Sequence, residues 1–147
     1  MIQGKLIEYG QNLVDITNIW GSVFPLEMKD KILDWGDEIA IYGVIHDEEY
    51  KPLAAGKISL LNGRYELSNI AVLVSERNKG YGDFLVRLLV NKAFMSGAEC
   101  IYTTTSTNTV GFFEKLGFKI LNEKSSIQEL LNMILFTSSI CRKCSKI

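Results

Sequence analysis

Cysteine, proline and histidine are all scarce in this chain. Three cysteines among 147 residues are too few for the disulfide framework of a small secreted domain. Cys100 lies inside an apolar, strand-like segment, and Cys141 and Cys144 have the spacing of half a zinc site. A closed tetrahedral site needs two further ligands, and none sits near them in sequence, so no metal is expected. The single histidine, His46, falls in the acidic stretch His46-Asp47-Glu48-Glu49 and reads as a surface residue. Charge of one sign is also missing. Sixteen basic residues against seventeen acidic ones leave a formal net charge of -1, which offers no general attraction for nucleic acid or a membrane surface. No apolar run approaches membrane-spanning length. The opening MIQGKLIEYGQN lacks the basic stretch and apolar run of a secretory signal, so a cytoplasmic location is expected.

What remains is a chain that is 47% hydrophobic, contains two prolines, and has no repeat or low-complexity segment. It reads as one domain over residues 1–147, with a short cysteine-containing tail from about residue 138 and a monomer or homodimer as its assembly.

Hydrophobic spacing divides this domain into alternating elements. Lys5 to Tyr9 is a candidate strand. Leu13, Ile16, Ile19, Trp20 and Val23 recur at helical intervals, predicting an amphipathic helix over Asn12 to Phe24, closed by Pro25. Ile39 to Ile45 and Leu53 to Leu61 read as strands on either side of the acidic turn. Asn62-Gly63 is a hairpin signal, because both central positions of a type I′ turn need positive φ. The strand after it, Tyr65 to Val74, alternates Glu66, Ser68, Ile70 and Val72 on one face with Leu67, Asn69, Ala71 and Leu73 on the other. The chain then breaks into Ser75 to Gly82 and re-enters a helix at Asp83 that ends near Ser96-Gly97. Cys100 to Thr105 predicts a buried strand, Thr109 to Leu116 a short helix, and Phe118 to Leu121 and Asn132 to Thr137 two more strands. Together these make a mixed α/β domain, antiparallel hairpins followed by a strand, loop, helix and strand.

The loop carries the chemistry. A strand that ends in glycines and runs straight into a helix presents unpaired N–H groups and the positive end of the helix dipole at one point, which is an anion site. Gly80 and Gly82 let the backbone approach a phosphate, and Arg77 and Lys79 add positive charge. The pattern is neither Gly-x-x-x-x-Gly-Lys-Ser/Thr nor the dinucleotide fingerprint. It does match Arg/Gln-x-x-Gly-x-Gly/Ala, as Arg77-Asn78-Lys79-Gly80-Tyr81-Gly82. Downstream, Phe112-Phe113-Glu114-Lys115-Leu116-Gly117-Phe118 is close to Phe-Tyr-Glu-Lys-x-Gly-Phe. On these two motifs, in this order, the chain resembles the GNAT (Gcn5-related N-acetyltransferase) superfamily, most closely from about Arg64 to Phe118.

That resemblance implies the GNAT fold, a central mostly antiparallel sheet flanked by helices, and acetyl-CoA (coenzyme A) as acyl donor. It places the pyrophosphate on Arg77, Asn78, Lys79, Gly80, Tyr81, Gly82 and Asp83. The pantetheine arm falls between two parting strands, beside Val72, Val74, Ser106, Phe112 and Phe113. A backbone N–H near Val72 is the expected donor to the thioester carbonyl. Glu66, eleven positions before Arg77, matches the catalytic base of the histone-acetyltransferase branch, with burial expected to raise its pKa. Phe113 departs from the pattern, since many members carry there a tyrosine that protonates the leaving thiolate and phenylalanine has no such proton. The Thr-Thr-Thr-Ser-Thr-Asn run at 103–108 resembles the amino-acid-acetylating branch. The expected activity is transfer of acetyl to the primary amine of a small molecule or amino acid in a direct ternary complex. A non-catalytic acyl-CoA-binding module is the alternative that Phe113 raises. Trp20, Phe24 and Trp35 are candidates for an acceptor pocket, for core or for an interface.

Overall fold

The structure is a computed structural model that describes residues 2–8, 13–24, 39–124 and 130–136. Trp35, the charged stretch 27–38 and the tail with Cys141 and Cys144 lie outside them. In chain order the elements are β1 (Gln3–Glu8), α1 (Val14–Val23), β2 (Ile39–His46), β3 (Pro52–Leu61) and β4 (Arg64–Val72). A single 3₁₀ turn (Val74–Glu76) leads to α2 (Tyr81–Met95), β5 (Cys100–Ser106), α3 (Val110–Lys115), β6 (Lys119–Lys124) and β7 (Leu130–Phe136). The strands form one seven-stranded sheet of order β1-β2-β3-β4-β5-β7-β6. Every neighbouring pair is antiparallel except β4 and β5. This is the mixed α/β, mostly antiparallel architecture expected from the sequence. Among the described residues no helix is long and apolar enough to cross a membrane.

The helices cover opposite faces. α1 inserts Ile16, Ile19 and Trp20 against Ile7, Tyr42, Val44, Ala55 and Ala71. Trp20 is core, 1% exposed, with its indole N–H donating to Ala55 O at 3.4 Å and its ring edge-on to Tyr42. α2 lays Leu85, Val86, Leu89, Val90 and Ala93 on the other face, over Ile45, Ile58, Leu67 and Ile101. Its close approach depends on Gly43 and Gly56, paired across β2 and β3. A Cβ on Gly43 would sit 3.0 Å from Leu85 Cδ1, and one on Gly56 2.4 Å from Ile70 Cδ1 and 3.2 Å from Leu89 Cδ1. Bare backbone there lets the helix settle on the sheet and so places its N-terminus.

The structure corrects three expectations. The strict alternation along β4 fails, because two residues of β4 oppose Gly56 alone and Asn69 takes φ +56, a bulge at the left-handed conformation that asparagine tolerates. Leu67, Ile70 and Val72 therefore face α2, while Ala71 and Leu73 face α1. Val74 leaves the strand, since β4 ends at Val72 and the 3₁₀ turn leaves Val74 70% exposed. His46 is buried. β2 runs one residue further than its apolar pattern, pairing His46 with Gln3 and Pro52, and its Nε2 lies 3.1 Å from Asp15 Oδ2 at the start of α1.

The glycine under α2 gives a direct test. Gly56→Val is expected to destabilise by about 1–3 kcal/mol through overpacking against Ile70 and Leu89. Gly21→Ala, in the helix α1 with nothing within 4 Å of the new Cβ, should instead stabilise by about 0.5–1 kcal/mol. Urea denaturation of both variants checks the contrast.

Candidate functional site

The site begins where β4 and β5 part. Their parallel pairing covers only Tyr65↔Ile101, Glu66↔Tyr102 and Leu67↔Thr103. Beyond that point β5 stays with β7 through Thr104, Thr105 and Ser106, while β4 bulges at Asn69 and continues along β3. The two strands diverge and leave a gap. Its vertex is tied by Thr103 Oγ1, which donates to Leu67 O at 2.9 Å inside the sheet. A side chain thus takes the carbonyl that the next rung would have used.

One wall of the gap is the end of β4. Leu73 N–H donates to Leu53 O on β3 at 2.9 Å. Backbone groups of successive strand residues point to opposite sides, so the N–H and C=O of Val72 face the gap. Arg77 Nε donates to that carbonyl at 3.2 Å, folding the loop back over the strand end. Val72 N–H is thereby directed toward the gap.

The mouth of the gap is the start of α2. Asn78 and Gly80 both take left-handed φ, +64 and +85. Gly80 is the N-cap and makes no side-chain capping bond, so the first N–H groups of the helix are open. Phe84 N–H donates to Gly80 O at 3.1 Å, closing the first turn. Gly82 belongs to that turn, because the helix begins at Tyr81, two residues earlier than its apolar spacing indicated. The basic residues are more engaged than expected. Lys79 Nζ pairs with Glu76 Oε2 at 2.8 Å, and that hydrogen bond, then Glu76's charge, raises the lysine pKa above its usual value. Asp83 accepts from Arg87 Nε at 2.6 Å on the outer face of the helix.

α3 joins the second motif to this mouth. A Cβ on Gly82 would lie 3.4 Å from the Phe112 ring and 3.6 Å from Val72 Cγ2, so Phe112 sits over the start of α2 beside the strand end. Phe113 points into the core instead, 6% exposed, edge-on to Phe112 at 5.0 Å and to Phe118 at 5.4 Å. Ser106 Oγ lies 3.2 Å from Thr109 Oγ1, whose hydroxyl also bonds Thr105 Oγ1, so these hydroxyls tie β5 to α3.

Glu66 stands one residue before the vertex, paired in register with Tyr102 of β5. The burial expected for it is absent. Its side chain is 49% exposed and lies 3.4 Å from Arg64 Nε, because the strand face it occupies carries polar groups at this end of β4 and β5. The Arg64 guanidinium lies 3.5 Å from the centroid of the Tyr102 ring. A hydrogen bond to Cys100, then that thiol's charge when ionised, raises the Tyr102 pKa above its usual value. Cys100 itself is half-buried, since β5 buries only alternate residues, Ile101, Thr103 and Thr105. Sequence reasoning missed Arg64, Tyr102 and Thr103, which meet only through the β4/β5 register. A threonine at an inward position of a β-branched strand was the one signal available for Thr103.

Among the described residues the sheet thus parts at its one parallel pair, with an open helix N-terminus at the mouth, the architecture of a mixed α/β acyltransferase fold. The Acetyltransferase (GNAT) family profile matches residues 11–118, and the chain belongs to that family. It is 35% identical over 81 residues to the uncharacterized N-acetyltransferase YjcF of Bacillus subtilis (strain 168), an alignment covering 55% of this chain and 57% of that protein. The chain thus matches a little over half of that relative's length. In fold it is similar to an acyl-CoA N-acyltransferase from Pseudomonas aeruginosa (TM-score 0.77, 14% identity, 92% of this chain and 99% of that one). It is also similar to the ribosomal-protein-S18-alanine N-acetyltransferase from Escherichia coli (TM-score 0.72, 18% identity, 92% and 94%).

The vertex can be tested by itself. Thr103→Val keeps the side-chain shape and strands the Leu67 carbonyl, so a loss of about 1–3 kcal/mol is expected. Thr103→Ser should retain most of the stability in the same denaturation experiment.

Proposed function

We propose that this protein transfers an acetyl group from acetyl-CoA to the primary amine of a small molecule or amino acid, within a ternary complex. The observation that carries the reading is the gap, with Val72 N–H facing it and an uncapped helix start at its mouth. The donor supplies the thioester and its pyrophosphate. The N–H groups of Tyr81, Gly82 and Asp83 suit the pyrophosphate, since they converge on one point without a competing side chain. Asn78, Lys79 and Gly80 shape that turn, and Arg77 braces it through Val72 O. Val72 N–H donates to the thioester oxygen as negative charge grows there, an oriented dipole that needs little reorganisation.

The acceptor nitrogen must be unprotonated to attack. Glu66, next to the vertex and half-exposed, takes the ammonium proton directly or through water. The C–N bond forms as the C–S bond breaks, the acylated nitrogen sheds its second proton to water, and the departing thiolate takes a proton from solvent. Phe113 has no proton to give it and is turned into the core. Phe112 and Ser106 flank the gap, the first by packing over Gly82 and the second by fixing the end of β5.

Phe113 favours a second reading, a non-catalytic acyl-CoA-binding module. Thiol release from acetyl-CoA across a panel of amines separates the two: binding with no release on any amine rejects the enzyme. If Glu66 is the base, Glu66→Gln lowers the rate about a hundredfold at neutral pH and less at high pH, where free amine is plentiful. An unchanged pH–rate profile removes Glu66 from that role. Gly82→Val, whose methyls would press on Phe112 and fill the helix start, is expected to abolish coenzyme A binding measured by calorimetry.

A further inference from the structure

Arg64 and Glu66 stand two residues apart on one face of β4, with Arg64 Nε 3.4 Å from Glu66 Oε1 and both side chains about half-exposed, 48% and 49%. The guanidinium carbon lies 3.5 Å from the centroid of the Tyr102 ring, and Tyr102 stands directly across from Glu66 in the β4/β5 register. Among the described residues the remaining N–H groups of Arg64 make no hydrogen bond, and it borders a groove of about 360 Å³ with Gly63, Gly97, Glu99 and Cys100 in its walls. The order along the strand is Arg64, Glu66, and then the vertex at Leu67 where the gap opens.

We infer that the acceptor carries a carboxylate beside its amine, as a free α-amino acid does, with the amine at Glu66 and the carboxylate on Arg64. The inference rests on the transferase reading for what happens to the amine, but recognition of the carboxylate does not. An ammonium and a carboxylate separated by one carbon match a carboxylate and a guanidinium held side by side. The order on β4 then turns the amine toward the gap and the carboxylate away from it. An exposed ion pair contributes little to stability, so replacing the Arg64–Glu66 contact by the ligand's two contacts is a small loss. The close cation–ring contact with Tyr102 restrains the guanidinium before the ligand arrives, which favours capture of a carboxylate. An amine at the end of a polypeptide has no neighbouring carboxylate. A polyamine would meet Arg64 as a like charge.

The test uses the whole chain with coenzyme A present, and three sets of probes: free α-amino acids, their amides and the corresponding decarboxylated amines. Calorimetry reads binding, and thiol release from acetyl-CoA reads turnover. The free acids are expected to bind about 10- to 100-fold more tightly than the amides. Arg64→Gln should bring that ratio close to one, and Arg64→Lys should restore only part of it. Unchanged thermal unfolding of the variants excludes a folding defect. Amides binding as well as acids, a ratio unaltered by Arg64→Gln, or no binding by any probe overturns the inference. Carboxylate-selective binding without thiol release rejects the transferase reading alone. Thiol release without carboxylate preference rejects this inference alone.

Discussion

The separation of β4 from β5 organises the molecule. A parallel pair held only at Tyr65, Glu66 and Leu67 is a short join for a seven-stranded sheet, and the two halves are free to diverge after it because each is secured elsewhere. β5 is zipped to β7 along its whole length, and β4 to β3 as far as Val72. The bulge at Asn69 twists β4 away, and the Thr103 hydroxyl stops the ladder without leaving the Leu67 carbonyl bare in the sheet. Backbone that would ordinarily be satisfied by a neighbouring strand instead faces the gap.

Everything else around the gap serves to hold its mouth. α2 rests on a floor from which Gly43 and Gly56 have removed side chains, so its axis and its first N–H groups are set by close packing across the sheet. Phe112, beside Gly82 and Val72, locks α3 to the same point, and Phe113 and Phe118 root that helix in the core. Arg77 spends its Nε–H on the strand end, a structural contact, while Lys79 is compensated by Glu76. The positive character of the mouth therefore comes from the Arg77 guanidinium, still charged beside the neutral Val72 carbonyl, together with the oriented backbone of the helix start.

The two motifs and the order of elements were legible because they are local. A glycine run between a strand and a helix has few conformational options, and helical spacing announces itself within a dozen residues. Element ends moved by a residue or two, as at Tyr81 and His46, where neighbouring strands and turn hydrogen bonds decide and hydrophobic spacing is silent. The β4 alternation was misread for a related reason. Asn69 does not look different from any polar strand residue until its partner strand shows one residue too few.

By itself, then, the sequence determined the class of fold and the place of the glycine-bearing helix start, since both follow from short-range backbone preferences and from motifs read along the chain. Only the tertiary structure decided which groups face one another across the sheet. Glu66 proved half-exposed beside Arg64 and Tyr102, Phe113 turned inward while Phe112 covered Gly82, and the buried His46 met the half-exposed Asp15 of α1. Each of these depends on register, bulge and helix placement, which arise from packing between residues far apart in the chain and leave no trace in local spacing.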